Sequence, residues 1–202
     1  MVDDGSVDRP VGELYRLDGL FLVAGYAARM TARDRVLDAY ETLLVDTGPA
    51  AATLDAVSSA AGVSKGGLLY HFPSKEALVT GLLERLRVRA QADAEAMRSA
   101  PEGATDVWLR TSAPPIAATS GLSRTYVAAL RIAGGDDAAD LARAVFAEID
   151  DAWYAALLDE LGDPARARLV QLVGDGLYLA ALTGADQVGP VPVDDLLAAL
   201  RR

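Results

Sequence analysis

The stretch TLDAVSSAAGVSKGGLLYHFPSKEAL, Thr53 to Leu78, constrains the fold more than any other part of the chain, because it holds three helix starts and two helix stops. Thr53 stands as an N-cap before the narrow apolar edge of Leu54, Val57 and Ala61, and Gly62 closes that helix after about two turns. GVS, Gly62 to Ser64, is then a tight three-residue turn, in which Ser64 caps a second short helix that ends at Pro73. Ser74 caps a third and longer helix, KEALVTGLLERLRVRAQADAEAMRS, with Glu76 in its first turn and Ala77, Leu78, Leu82, Leu86 and Met97 inward. Roughly 25 residues at 1.5 Å each span about 37 Å, enough to connect two domains.

The same signals organise the rest. Thr31 caps a helix with Val36, Leu37, Tyr40, Leu43 and Leu44 on one stripe, and Gly48-Pro49 ends it. Beyond residue 99 the spacing predicts a short helix over 105–111 and a Pro-rich connection through Pro114-Pro115 that excludes helix. A helix over 122–133 comes next, then a longer one to Leu161 carrying Leu141, Val145, Ile149, Trp153 and Leu157. A last long one opens at Pro164 and runs to Thr183, and residues 193–202 close the chain. Successive alternating β-branched runs are missing, so the expected class is all-α. Residues 1–29 read as an extension of turn-forming pairs around the apolar run GLFLVAGYAA, with Met30 as an alternative start.

Charge enters because it limits the partners. The formal net charge is −10, which argues against indiscriminate attraction to polyanions. Residues 1–28 carry −3, residues 29–98 carry 0 and residues 99–202 carry −7. A neutral segment in an acidic chain can still present a basic face. Both lysines, Lys65 and Lys75, and the sole histidine, His71, bracket the second short helix. The chain has no cysteine, which excludes a disulfide framework, a thiolate nucleophile and Cys-ligated zinc. The apolar run is about half the length of a membrane span and comes after an acidic leader, so a cytoplasmic protein with no membrane partner is expected.

A two-turn helix, a three-residue turn and a second short helix form a helix-turn-helix. The second helix must enter a major groove, so its exposed face needs small or polar residues and its ends need phosphate partners. Gly66 and Gly67 each cost about 1 kcal/mol in a helix interior relative to Ala, which suggests close approach to DNA. Leu68 and Leu69 divide between the core and the thymine-methyl side. Lys65, Tyr70, His71 and Lys75 flank the groove and can reach phosphates, contacts that position a protein without reading sequence.

At these residues the chain resembles the tetracycline-repressor (TetR) family of bacterial transcription regulators, most strongly over residues 31–98. Gly62, Val63, Ser64, Lys65, Gly66, Leu68, Tyr70, His71, Phe72, Ser74, Lys75 and Leu78 match the family's helix-turn-helix pattern. The resemblance implies that Thr53 contacts a phosphate, that Ser64, Lys65, Gly66 and Gly67 open the recognition helix, that Tyr70, His71 and Lys75 hold the backbone, and that Phe72 locks the helix to the core. Leu69 stands where many members carry a tyrosine and Gly67 where many carry a threonine, so base readout is expected to lean on Lys65, Tyr70 or DNA shape. The implied organisation is an N-terminal extension (1–29), a three-helix DNA-binding domain (30–75) and an all-helical ligand-binding and dimerisation domain (76–202), with helix 74–98 linking them.

In the C-terminal half, Met97, Trp108, Tyr126, Phe146, Trp153 and Tyr178 either line a pocket for a small apolar effector or form ordinary core, with Arg131, Arg124 and Asp175 as polar partners. Gly176, Ala180 and Gly184, four apart, permit close helix approach. With Leu169, Leu172, Val173, Leu177 and Leu179 they make 170–183 the expected homodimer helix. The acidic run EIDD, Glu148 to Asp151, is read as a solvated face, since successive carboxylates on a helix diverge. A nucleophile, base and metal set cannot be assembled, so no catalytic residue, metal or cofactor is expected. Two readings remain. One is a repressor of a palindromic operator in double-stranded DNA, released by an effector. The other is an all-α ligand-binding or scaffold dimer whose helix-turn-helix is vestigial.

Overall fold

The computed structural model describes residues 14–17, 20–23, 31–114, 116–134, 138–183 and 192–200. They form ten helices and one small ribbon: β1 Leu14–Leu17, β2 Leu20–Val23, α1 Ala32–Asp46, α2 Leu54–Ala61, α3 Lys65–His71, α4 Lys75–Ser99, α5 Ala104–Ser112, α6 Ile116–Thr119, α7 Gly121–Ala133, α8 Ala139–Leu161, α9 Pro164–Leu182 and α10 Val193–Leu200. The all-α class holds. The ribbon is an addition to it: β1 and β2 pair antiparallel with Leu14 opposite Val23 and Leu17 opposite Leu20. In the sequence Asp18-Gly19 separates two short runs of strand-forming residues, a hairpin signal.

The helix starts are built from side-chain caps. Thr31 and Asp34 form a reciprocal box, the Asp34 amide donating to Thr31 Oγ1 at 3.1 Å and the Thr31 amide to Asp34 Oδ2 at 3.2 Å. Thr53, Ser64 and Ser74 accept the amides of Ala56, Gly67 and Ala77 at 3.2, 3.0 and 3.2 Å. Gly62 closes α2 in the left-handed conformation at φ 63, which any side chain would strain. Asp163 caps α9, with Pro164 in its first turn.

α1, α2 and α3 enclose a small apolar centre of Val36, Leu37, Tyr40, Leu44, Val57 and Leu68, closed by Leu78 and Leu82 of α4. α4 carries that unit into the second layer, where it packs along α8 and against α5 and α7. There Leu86, Ala90, Ala94 and Met97 join Trp108, Val145, Ile149 and Leu157 in one continuous core. Leu141, expected on the inward stripe of α8, is exposed instead, because each step of four residues turns about 40° past a full turn, which leaves Leu141 at the edge of the face that Ala142, Val145, Ile149 and Trp153 bury. α5 and α9 touch almost without a gap: a Cβ on Gly174 would collide with the Trp108 indole, whose N–H donates to the Gln171 carbonyl at 3.3 Å.

That contact sets a stability prediction. Gly174→Ala forces the indole out of a close-packed site and is expected to cost about 1–3 kcal/mol, at the upper end because the ring is wedged between helices. A urea-denaturation midpoint unchanged from wild type would refute the close approach.

Candidate nucleic-acid interface and effector cavity

The recognition helix α3 is held by its apolar side and open on the other. Leu68 is fully buried and Phe72, just past the helix end, is 2% exposed. Phe72 fits a notch in α4 made by Gly81, where a Cβ would stand 2.6 Å from the ring, and the Arg33 guanidinium lies over the ring at 5.2 Å. Arg33 carries no local signal in the sequence, since its relation to Phe72 spans two helices. Outward, Tyr70 is 84% exposed and Leu69 is half-exposed at the helix surface. The Tyr70 ring meets His71 edge-on at 5.1 Å. Among the described residues nothing beyond its own helix backbone lies within 4 Å of a Cβ built on Gly66, so their packing does not account for that glycine. A Cβ on Gly67 would meet the capping Ser64 Oγ at 3.2 Å.

Thr53, Ser64, Lys65 and Lys75 lie at the surface of this unit. The two lysines have partners within the chain. Lys65 Nζ pairs with Asp55 Oδ1 at 2.7 Å, and Lys75 Nζ donates to the Pro49 carbonyl at 3.1 Å. Exposed pairs of this kind contribute about 0–1 kcal/mol, so exchanging them for phosphate oxygens costs little.

The second feature is a partly open cavity of about 140 Å³ enclosed by α4 to α9. Trp108, Tyr126, Trp153 and Tyr178 form much of its wall, with Leu122 and Ile116 between them and Ser120, Ser123, Thr111 and Ser112 as polar groups. The rings contact one another: Trp108 and Trp153 centroids lie 5.3 Å apart, Tyr126 and Trp153 6.3 Å, Tyr126 and Tyr178 5.5 Å. Two carboxylates, Asp93 and Asp175, complete the lining. Asp93 accepts the Trp153 indole N–H at 3.0 Å. Burial pushes its carboxyl above the usual range, an effect this hydrogen bond partly offsets. Asp175 is likewise raised, first by burial and then by the charge of Asp150, against the opposing pull of Arg168. Tyr126 is pushed up to about 12 by burial, with Tyr178, Asp175 and Asp150 adding to it.

Several residues expected in the pocket or beside it lie elsewhere. Met97 is core at 1% exposure, turned inward by its place on the α4 stripe. Phe146 packs on Tyr126 at 5.0 Å without reaching the cavity wall. Arg131 and Arg124 are exposed on α7, and Arg124 donates to Thr42 Oγ1 at 2.9 Å. The wall instead includes Asp93, whose signal in the sequence is a carboxylate beside the apolar positions Ala90, Ala94 and Met97. On α9, Leu169, Leu172 and Leu179 are exposed, Gly176 is exposed and Val173 and Ala180 are half-buried. Leu177 is buried within its own chain at 3% exposure, because it falls on the opposite side of the helix from those leucines. Gly184 lies outside the described residues.

Cavity and DNA-binding unit meet through α7. Its N-terminal end lines the cavity with Leu122, Ser123 and Tyr126 and reaches α1 with Arg124 and Thr125. Arg89 of α4 donates to the Gly121 carbonyl at 2.8 Å and also binds Thr125 Oγ1. The Thr125 hydroxyl donates to Glu41 Oε1 of α1 at 3.0 Å. Glu41 is 2% exposed and receives Arg85 Nη1 at 3.0 Å. No buried side-chain polar atom among the described residues lacks a partner. No described helix is long and apolar enough to cross a membrane.

A recognition helix projecting from a three-helix unit, carried on a long helix into a helical body with its own cavity, defines a helix-turn-helix transcriptional regulator. Residues 36–82 match the family model of bacterial regulatory proteins of the tetR family, and residues 104–202 match a tetracyclin repressor-like C-terminal domain. The chain belongs to the tetR family. Among solved structures, GusR of Salmonella enterica is 18% identical with a TM-score of 0.61, over 87% of this chain and 96% of that one. NalD, the secondary repressor of the MexAB-OprM multidrug efflux pump in Pseudomonas aeruginosa, is 16% identical with a TM-score of 0.60, over 85% and 94%. A transcriptional regulator of Aquifex aeolicus VF5 is 18% identical with a TM-score of 0.59, over 85% and 96%. At these identities the likeness is one of fold. No curated protein matches the chain.

Proposed function

We propose that this regulator is a homodimeric repressor that sets two α3 helices into successive major grooves of a palindromic operator and releases it when a small molecule occupies the cavity. The observation that carries this reading is the double duty of α7, which lines the cavity with Leu122, Ser123 and Tyr126 and holds Glu41 of α1 through Thr125. A ligand that shifts this end of α7 biases the position of the DNA-binding unit. A roughly hundredfold difference in effector affinity between two such states is about 2.7 kcal/mol, enough to change operator occupancy.

Thr53, Ser64, Lys65, Gly66, Gly67, Tyr70, His71 and Lys75 are the proposed DNA contacts, with Leu69 against a thymine methyl. The open space at Gly66 supports close approach of the duplex, and the outward Tyr70 supports a backbone grip. Half-sites one helical turn apart, about 34–36 Å, suit two such helices. For the dimer, the exposed leucines Leu169, Leu172 and Leu179 of α9, with Gly176 among them, support a seam with the same helix of a second copy. We assign the protein no enzymatic activity and place its work in the cytoplasm, on DNA.

The test is binding to the DNA upstream of its own gene between about 50 and 200 mM salt. Lys65→Ala with Lys75→Ala removes two phosphate contacts per subunit and four per dimer. The slope of log affinity against log salt is then expected to fall by about 3–4. No binding by wild type, or a slope unmoved in the double variant, would favour the alternative in which the helix-turn-helix is vestigial.

A further inference from the structure

The cavity combines aromatic walls with negative charge. Among the described residues its lining contains Asp93 and Asp175 but no Lys, Arg or His. The guanidinium groups nearby are engaged elsewhere. Arg89, one turn before Asp93 on α4, binds the Gly121 carbonyl, Thr125 and, at 3.5 Å, Glu41. Arg168 binds Asp150 Oδ2 at 3.3 Å and Gln171 Oε1 at 2.8 Å and lies over the Tyr154 ring at 4.5 Å. Among the described residues Asp93 takes one hydrogen bond, from Trp153, and Asp175 takes none.

Asp93 is half-buried with no cation beside it, which costs free energy. Asp175 is exposed at the rim, where Arg168 offsets its charge only in part, and ring faces carry negative quadrupole charge that attracts cations. Both properties point to the same ligand chemistry. A cavity near 140 Å³ holds about one benzene-sized ring when closed, and this one opens to solvent, so part of a ligand can protrude.

We infer that the effector is a compact organic cation bearing an aromatic ring, its ring seated among Trp108, Trp153, Tyr126 and Tyr178 and its charge placed between Asp93 and Asp175. This rests on the reading of the cavity as the effector site and replaces the small apolar effector expected from the sequence. Burial first, and Tyr178 next, raise the Tyr126 hydroxyl, and Asp175 and Asp150 add to it.

The experiment compares two probes of one shape, phenyltrimethylammonium and tert-butylbenzene, which differ in charge alone. The protein has two tryptophans, Trp108 and Trp153, and both are in the wall, so intrinsic emission of the full-length wild-type chain reports this site. The cation is expected to bind at least tenfold more tightly than its neutral isostere. Asp93→Asn, whose amide oxygen still accepts the Trp153 N–H, and Asp175→Asn are each expected to weaken the cation severalfold and leave the isostere unchanged. Equal or tighter binding of tert-butylbenzene overturns the cation assignment while leaving the cavity as a ligand site. If neither probe changes the emission, the cavity reading itself fails and the cation assignment with it. The wild-type comparison stands even if a variant folds poorly.

Discussion

Arg85→Met is expected to lower the unfolding free energy by about 3–5 kcal/mol. Arg85 is nearly buried where α4 crosses α1, and its guanidinium binds Asp38 Oδ1 at 2.5 Å, Glu41 Oε1 at 3.0 Å, the Asp34 carbonyl at 3.2 Å and Asp34 Oδ1 at 3.3 Å. Removing it leaves Glu41, the most deeply buried of the three carboxylates, with Arg89 at 3.5 Å and the Thr125 hydroxyl. A buried carboxylate stripped of its main partner accounts for most of the expected cost; the loss of attraction to the half-exposed Asp34 and Asp38 is small beside it. Arg85→Met with Glu41→Met should therefore recover at least half of the loss, since a buried ion pair replaced by apolar groups of similar volume is often neutral. Urea denaturation of the two single variants and the double variant gives the cycle. A loss below about 1 kcal/mol for Arg85→Met would show that water reaches Glu41 and that the network is a surface one. The double variant also tests the proposed relay. If α7 acts on α1 through Glu41, it should still bind operator DNA, but added effector should no longer release it.

The contrast between what the sequence discloses and what it conceals comes from the range of the interactions. Helix starts are decided within three residues of the cap, so Thr31, Thr53, Ser64 and Ser74 are legible one by one, and with them the whole helix-turn-helix. Gly62 is legible because only a residue without Cβ takes φ 63 comfortably. Glu41 is not. It shares the buried face of α1 with Leu37 and Leu44, and its stabilising partners come from α4 and α7, 44 and 84 residues away. The cavity lies between these cases. Its four main rings stand out as large residues on helical stripes, yet composition does not say on which side of a ring the empty space falls, and so Phe146 and Met97 resemble Trp108 and Trp153 in sequence while packing elsewhere. Leu177 and Leu179 show the same limit on α9, one turned into the core and the other out to solvent.

Phe72→Ala is expected to cost about 3–5 kcal/mol and, through α3, most of the DNA affinity. The recognition helix is seven residues long with Leu68 as its one buried member, so Phe72, just past its end, is half of the apolar hold on it. A helix that short is not stable without such packing. Loss of the ring therefore frees the element meant to fill the groove, and operator affinity should fall by more than tenfold even under conditions where the protein stays folded. Gly81 supplies the control. A Cβ there would stand 2.6 Å from the Phe72 ring, so Gly81→Ala alone should cost about 1–3 kcal/mol. In the Phe72→Ala background the obstacle is gone, and alanine in the middle of α4 should instead gain up to about 1 kcal/mol of helix propensity over glycine. The same substitution thus changes sign with the state of residue 72. Equal costs for Gly81→Ala in the two backgrounds would show that the ring does not occupy the notch, and that α3 is anchored to α4 by some other contact.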